Sequence, residues 1–483
     1  MTPEDEIVAL QAENAQQRQQ LALVLAQNAA LLERVRELEA RLAKDSHNSS
    51  KPPSSDGLAR KPSKTKSLRR RSGKKPGGQV GHRGETLHLV PTPDDVVAHR
   101  PAICAGCQAS LDVDASVVLR ERRQVQDLPP VRLRVTEHQA LHVRCPTCQT
   151  VSVGAFPSEA SSRAQYGPHL RALVVYLVEQ QLVPYGRVRE LLADLFGTHL
   201  SLGTLVQWVQ QGATVLEPVE AAIKAALRRV PVLHSDETGV RQAGRLAWAH
   251  VASTARLTHY AIHTKRGSEA TEAIGILPDY TGVSVHDGWA AYRAHTTCRH
   301  ALCNIHHLRE LTFLEAQYQQ GWAKDLKALL LEMKAAVEQA RTLGHSRLPA
   351  VLRDAFVIRY DTLLGTGLAA NPPPSSPERG PRRRGRIKQS PARNLLERLW
   401  LRRDQVLAFL DDLTIPFDNN QAERDLRMLK VQQKVSGCFR SDSGAEAFSR
   451  IRGYLPTLSK QGAKLLTALE TLFGGQPLYP SFA

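Results

Sequence analysis

The chain of 483 residues contains no run of about 18 apolar residues, which argues against a membrane-crossing helix. Aromatic residues make up only 5%, so any core must be largely aliphatic. Seven cysteines are too few to hold so long a chain as a disulfide scaffold. Four of them fall in two C-x-x-C pairs, a pattern that points to metal. The opening Met1-Thr-Pro-Glu-Asp-Glu6 lacks the positive-then-apolar order of a signal peptide, so a cytoplasmic, nucleoid-associated location is expected. Negative charge is also short: 47 acids against 64 Lys and Arg leave +17 and a pI near 9.8. That balance calls for a polyanionic partner, and nucleic acid fits best.

What is present centres on three acids. Val232-Leu-His-Ser-Asp236-Glu-Thr-Gly239 is a short strand-like run that ends in an acid. Val283-Ser-Val285-His-Asp287-Gly-Trp-Ala-Ala-Tyr292 repeats that design. Strand ends are where α/β folds present functional side chains. Phe417-Asp-Asn-Asn-Gln-Ala-Glu423-Arg424 places a third acid in the first turn of a helix that Asn419 or Asn420 can cap. An isolated Asp commonly ends a strand or caps a turn and does no more. Two strand-end aspartates and a helical glutamate together make a carboxylate set suited to Mg²⁺ or Mn²⁺ rather than zinc. Two such ions, about 3.5–4 Å apart, serve phosphodiester chemistry. Asp418 and Asp425 compete with Glu423 for the third place. Asp425, two residues on, lies roughly 200° around a helix and should face away.

Four stretches carry a resemblance: His234-Ser-Asp-Glu-Thr-Gly239, His286-Asp-Gly-Trp289, Cys303-Asn-Ile-His306 and Asp418-Asn-Asn-Gln-Ala-Glu-Arg424. They resemble the insertion-sequence-66 family of bacterial DDE transposases, and the likeness runs over most of the chain. It implies cut-and-paste DNA transposition on a ribonuclease-H-like fold. Asp236, Asp287 and Glu423 are carried over as metal-binding catalytic acids. It further implies that Cys303-x-x-His306 shapes the wall of the active site. By itself that pair is two zinc ligands short, and Cys298 or His300 are only guesses for the rest. It is equally read as a buried, hydrogen-bonded histidine, so it stays outside the expected metal set.

The expected fold class is multidomain α/β: a ribonuclease-H-like core with a helical insertion, preceded by a coiled coil, a zinc ribbon and a helix-turn-helix-like domain. Residues 1–45 carry a heptad seam, with Ile7, Asn14, Leu21, Asn28, Val35 and Leu42 at a and Leu10, Gln17, Val24, Leu31 and Leu38 at d. Paired Asn14 and Asn28 would fix the register of a parallel homodimer, and a higher multimer or a lone amphipathic helix are the other readings. Residues 46–98 are a basic Pro/Ser-rich linker expected to be disordered. Its Lys74 and Lys75 either neutralise DNA phosphates or are simply solvated. It also contains Asn48-Ser-Ser-Lys-Pro-Pro-Ser-Ser-Asp56 and Pro76-Gly-Gly-Gln-Val-Gly-His82, which look like the family's linker signatures.

Residues 99–157 read as a zinc ribbon, with Cys104, Cys107, Cys145 and Cys148 supplying four thiolates to one structural Zn²⁺. Strands are expected at Val131–Val135 and Ala140–Val143. Residues 160–228 read as a helix, a glycine turn at Gly197 and a further helix capped by Ser201. The second helix is poor in Arg and Lys, so an ordinary helical hairpin competes with a DNA reader. The core is expected over 229–314, as a three-strand meander, a helix and a further strand ending at Asp287. It resumes over 413–483. Between them, 315–412 is a helical insertion whose Arg382, Arg383 and Arg384 either hold DNA or lie in a solvated loop. Arg424, Arg427, Lys430 and Lys434 run along the helix of Glu423 and complete the expected DNA contacts.

The expected partners are thus element-end and target DNA and further copies of the chain, with helper proteins from the same element left open and no membrane. Two alternatives stand beside transposition. One is a catalytically inactive dimeric DNA-binding regulator, and the other is a metal-dependent nuclease without strand transfer.

Overall fold

The computed structural model describes residues 3–44, 77, 81–82, 84, 86–129, 131–373 and 389–482. Lys74, Lys75, Arg382, Arg383 and Arg384 lie outside the described residues, as do all of 45–76. The chain divides into two units: 1–61 with 138–194 and 198–483, and 62–137 with 195–197. Among the described residues no helix is long and apolar enough to cross a membrane.

The smaller unit contains little regular structure. Gln124 holds Val90 through both its amide atoms, donating to the carbonyl at 2.9 Å and accepting from the N–H at 2.7 Å. The Val131–Val135 alternation, expected as a strand, forms none. Val131 and Val135 are 52% and 88% exposed. Alternation makes a strand only where a neighbouring strand takes the hydrogen bonds and something covers one face.

In the larger unit, α1 spans Pro3–Ala43, free of Gly and of further Pro. Its seam residues Leu10, Leu21, Val24, Leu31, Val35 and Leu38 are exposed, while Ala40 is buried in the core near the helix end. Strands β1 (His142–Arg144) and β2 (Val151–Val153) form a short antiparallel hairpin. Helix α2 (Pro168–Val175) runs into a π-helical turn, Tyr176–Gln180. Then come α3 (Tyr185–Phe196), α4 (Leu202–Val215) and α5 (Glu217–Leu227). Gly197 turns the chain with φ +62°, and the Ser201 hydroxyl accepts the Thr204 N–H at 3.0 Å, capping α4. Helix α4 carries neither Arg nor Lys.

The central sheet follows: β3 (Val232–Gln242), β4 (Arg245–Ser253), β5 (Thr258–His263), then α6 (Ser268–Ile274), β6 (Val283–His286) and β7 (Arg299–Leu302). Its spatial order is β5-β4-β3-β6-β7. The first three strands form an antiparallel meander, and β6 and β7 join parallel to β3. The meander, the α6 crossover and the strand leading to Asp287 follow the element order expected from the sequence.

Helices α7 (Asn304–Tyr318), α8 (Gly321–Thr342), α9 (Ala350–Ala370), α10 (Pro391–Leu401), α11 (Arg403–Val406) and α12 (Ala408–Asp411) bury a cluster that includes Val283, Val285, Ala301, Leu326, Leu330, Leu364 and Leu396. The chain then returns to the sheet with α13 (Asn420–Ser436), α14 (Asp442–Lys460) and α15 (Leu465–Phe473). Leu426 and Leu429 of α13, with Phe448 of α14, cover Val240, Ala247, Ala249 and Val251. Folding thus brings a helix from near the end of the chain over the first strand of the sheet.

Candidate active site

Register places the two aspartates. β3 and β6 run parallel, with Val232 opposite Val283 and His234 opposite Val285. Extending that register by two residues sets Asp236 beside Asp287, where β6 has ended; Asp287 follows its strand as expected, but Asp236 does not end one, because β3 runs on to Gln242 in its antiparallel ladder with β4. Both carboxylates are half-buried. Asp236 accepts the Glu237 N–H at 2.9 Å, and Asp287 accepts the Trp289 N–H at 2.8 Å. Burial raises the Asp236 carboxyl well above its ordinary value, and the charges of Glu237, Asp287 and Glu423 raise it further. Among the described residues no ion pair to Asp236 offsets this.

Asn419 brings the third acid in. The sequence suggested that its side chain caps α13, and it does not. Asn419 is buried at the N-cap, but its Oδ1 lies 2.8 Å from His234 Nδ1 and its Nδ2 donates to the Ser235 carbonyl at 2.8 Å. With Oδ1 accepting, His234 carries its proton on Nδ1. The Asn419 backbone N–H points to Cys303 Sγ at 3.2 Å. The helix start is satisfied instead by Asp418, whose carboxylate accepts the Asn420 N–H at 3.1 Å. One amide side chain therefore ties α13 to β3, and the same residue's N–H ties it to the end of β7. A second tie joins the Asn304 N–H to the Phe417 carbonyl at 3.0 Å.

Glu423, one turn into α13, is half-buried and close enough to Asp236 to raise its carboxyl. Asp425 faces Lys460 of α14 at 2.8 Å, on the far side of the helix as its spacing requires. Among the described residues, the three potential ligands that meet within 4.8 Å of one another are Cys303, His306 and Glu423. The set Asp236, Asp287 and Glu423 does not meet that closely. Cys298 and His300, the other guesses for the Cys303–His306 pair, are engaged elsewhere. Cys298 points to the His295 carbonyl at 3.5 Å, and His300 lies 3.0 Å from His286.

Several residues that bear on the site went unnoticed in the sequence. Glu237, adjacent to Asp236 but on the opposite face of β3, accepts from Arg266 at 2.9 Å and from the Tyr292 hydroxyl. Arg266 lies over Trp289 at 3.8 Å and Trp248 at 4.8 Å. Glu237 and Tyr292 were visible inside quoted motifs, whereas Arg266 carried no local signal. Behind Asp287, Gly288 N–H donates to His286 Nδ1 at 2.9 Å, which leaves Nε2–H to donate to His300 Nδ1 at 3.0 Å. His300 Nε2–H is then free to donate to the His295 carbonyl at 3.0 Å. Burial holds His286 at about 3, so the relay stays neutral.

Of the expected DNA contacts on α13, Arg424, Arg427 and Lys434 are exposed. Lys430 is half-buried and donates to the Gly239 carbonyl at 2.7 Å, which turns its ammonium toward the sheet.

The two C-x-x-C knuckles lie in different units, and each repeats one local geometry. The Cys104 N–H donates to the Ala109 carbonyl at 2.8 Å, and the Cys145 N–H donates to Thr150 at 2.8 Å. Gln108 and Gln149, each just past the second cysteine of its knuckle, sit at φ +62° and +64°. The Thr150 hydroxyl pulls the Cys148 thiol down to about 7, and backbone N–H groups lower Cys104. Thiols that ionise this readily suit zinc.

Residues 163–447, more than half of the chain, match the family described as "Transposase IS66 family". The chain belongs to this family. Membership makes it a transposase, an enzyme of DNA. Residues 101–149 match the "zinc-finger binding domain of transposase IS66", which spans both knuckles and supports structural zinc. Residues 2–88 match a family of unknown function. No match to a curated protein was found.

Proposed function

We propose that this transposase cleaves DNA at the ends of a mobile element and joins the freed ends to target DNA, using divalent cations held by Asp236, Asp287 and Glu423. The observation that carries this reading is the parallel register that sets Asp236 beside Asp287 at the end of β6, with Glu423 close enough to act on Asp236. The antiparallel meander followed by two parallel strands supports a ribonuclease-H-like core. The unpaired, charge-raised Asp236 fits a hard cation, because a cation there would relieve its repulsion with Asp287 and Glu423. Such ions, when bound, activate water or a 3′-hydroxyl and stabilise the leaving oxygen.

The chain's own residues do the rest. Asn419 fixes the approach of α13, and the neutral His286–His300 relay holds the loop of Asp287. Exposed Arg424, Arg427 and Lys434 give the incoming polyanion a positive margin. The thiolates of the two knuckles serve as zinc ligands, and the exposed seam of α1 pairs with a second copy of the chain. Lys74, Lys75, Arg382, Arg383 and Arg384 add phosphate contacts that ignore base sequence.

Asp236→Ala, Asp287→Ala and Glu423→Ala, assayed on end-containing DNA with Mg²⁺, test the assignment. Each should shift the DNA band and leave it uncut, while the parent cuts it. Cleavage retained in any of the three overturns that residue's role. A parent that shifts but never cuts is an inactive regulator, and one that cuts but never joins is a nuclease.

A further inference from the structure

We propose that Cys303, His306 and Glu423 form a cation site of mixed sulfur, nitrogen and oxygen chemistry, which takes a borderline ion such as Zn²⁺ at the α13 end of the catalytic cleft. Cys303 closes β7 as the N-cap of α7, and His306 lies three residues on, so the two side chains share one face of the chain as it enters the helix. Glu423 arrives from α13, and the three ligand atoms lie within 4.8 Å of one another. Tetrahedral zinc, with bonds of about 2.0–2.3 Å, needs ligand separations of about 3.5 Å, so a small contraction completes the set.

Two further observations point to a ligand. His306 Nδ1 is buried and has no hydrogen-bond partner. Cys303 Sγ already receives the Asn419 N–H at 3.2 Å, the kind of donor that supports a metal-bound thiolate. Thiolate and imidazole serve Mg²⁺ poorly and Zn²⁺ well. Three protein ligands leave a fourth position for water. On binding, the Cys303 thiol gives its proton to solvent and a sulfur–metal bond forms, with no change of oxidation state.

The binding rests on this geometry alone. Its consequence rests on the catalytic reading above: a zinc that holds Glu423 withdraws it from the aspartate pair, so Zn²⁺ should inhibit Mg²⁺-supported cleavage.

The full-length protein is dialysed against micromolar Zn²⁺ and its metal content measured. Cys303→Ser and His306→Gln should each retain one zinc fewer per chain than the parent. Equal zinc in the parent and both folded variants overturns the site. Should the variants fail to fold, zinc-edge anomalous diffraction from crystals of the parent grown with Zn²⁺ decides. A peak among the three side chains supports the site, and no peak there overturns it. In parallel, parent cleavage in Mg²⁺ is titrated with Zn²⁺. If zinc binds here and the parent never cuts DNA, the site stands and the catalytic reading falls. If no zinc binds and the parent cuts, the reverse holds.

Discussion

Asp236 and Glu237 are neighbours on one strand, both raised by burial and by the charge of Asp287, and they differ in their partners. Glu237 has a side chain only 2% exposed, and Arg266 and Tyr292 satisfy its carboxylate. Asp236 lies beside the end of β6, crowded by other acids and unpaired to any described cation. The alternation of a β-strand sends adjacent side chains to opposite faces, so one Asp-Glu pair can serve two purposes. The acid that the protein neutralises itself braces the fold. The other acid has no such partner among the described residues, which is the basis for the proposed cation site.

The largest expected effect comes from removing the crowded member. Asp236→Asn should lower Mg²⁺-dependent cleavage on the order of 10³-fold or more, because several kcal/mol of transition-state stabilisation is lost. It should leave the melting temperature unchanged or raised. A marked loss of stability would place Asp236 with the structural acids.

Asn419→Ala comes next. It removes the two side-chain bonds to His234 and Ser235 that hold α13 to β3. Cleavage should fall about 10–100-fold, with weaker metal binding, as for groups that support metal ligands. Full activity would show that α13 is seated by apolar packing alone.

Glu237→Gln should act mainly on stability, by about 1–3 kcal/mol in denaturant unfolding, since it leaves a half-buried Arg266 without its anion. A loss of cleavage as deep as that of Asp236→Asn, with stability intact, would erase the contrast between the two acids.

Glu179, in the π-helical turn after α2, extends the comparison to a buried acid outside the sheet. It is 3% exposed, and burial raises it from 4.5 to about 8, with Arg452 pulling the other way. Its folded form holds a proton that the unfolded chain releases, so it costs stability increasingly as pH rises from about 4.5 towards 8. Glu179→Gln should therefore raise the melting temperature more at pH 8 than at pH 5. An equal change at both would remove burial as the cause.

What was legible in the sequence was local. Ser201 caps α4 because its hydroxyl needs only a neighbour three residues on. The short β-branched run before Asp287 marked a strand that ends there, whereas the run before Asp236 did not show that β3 continues to Gln242 beside β4. Asp425 was placed on the far side of α13 by helical geometry alone. What escaped depends on distant partners. Asn419 looks like a cap, and nothing near it in the chain says that His234 and Ser235 will compete for its amide. Arg266 gains its role only when β3 and Trp289 surround it. Cys303 and His306 stayed two ligands short because Glu423, far along the chain, could not be placed beside them. The Val131–Val135 pattern misled for the converse reason: its period is that of a strand, but no described neighbour covers it.

Mn²⁺ binding to the full-length chain, followed by electron paramagnetic resonance, tests most directly whether the crowded acid awaits a metal. The parent and Glu237→Gln should bind alike, while Asp236→Asn and Asp287→Asn should bind at least tenfold more weakly. Undiminished Mn²⁺ affinity in Asp236→Asn would mean that Asp236 does not hold the cation.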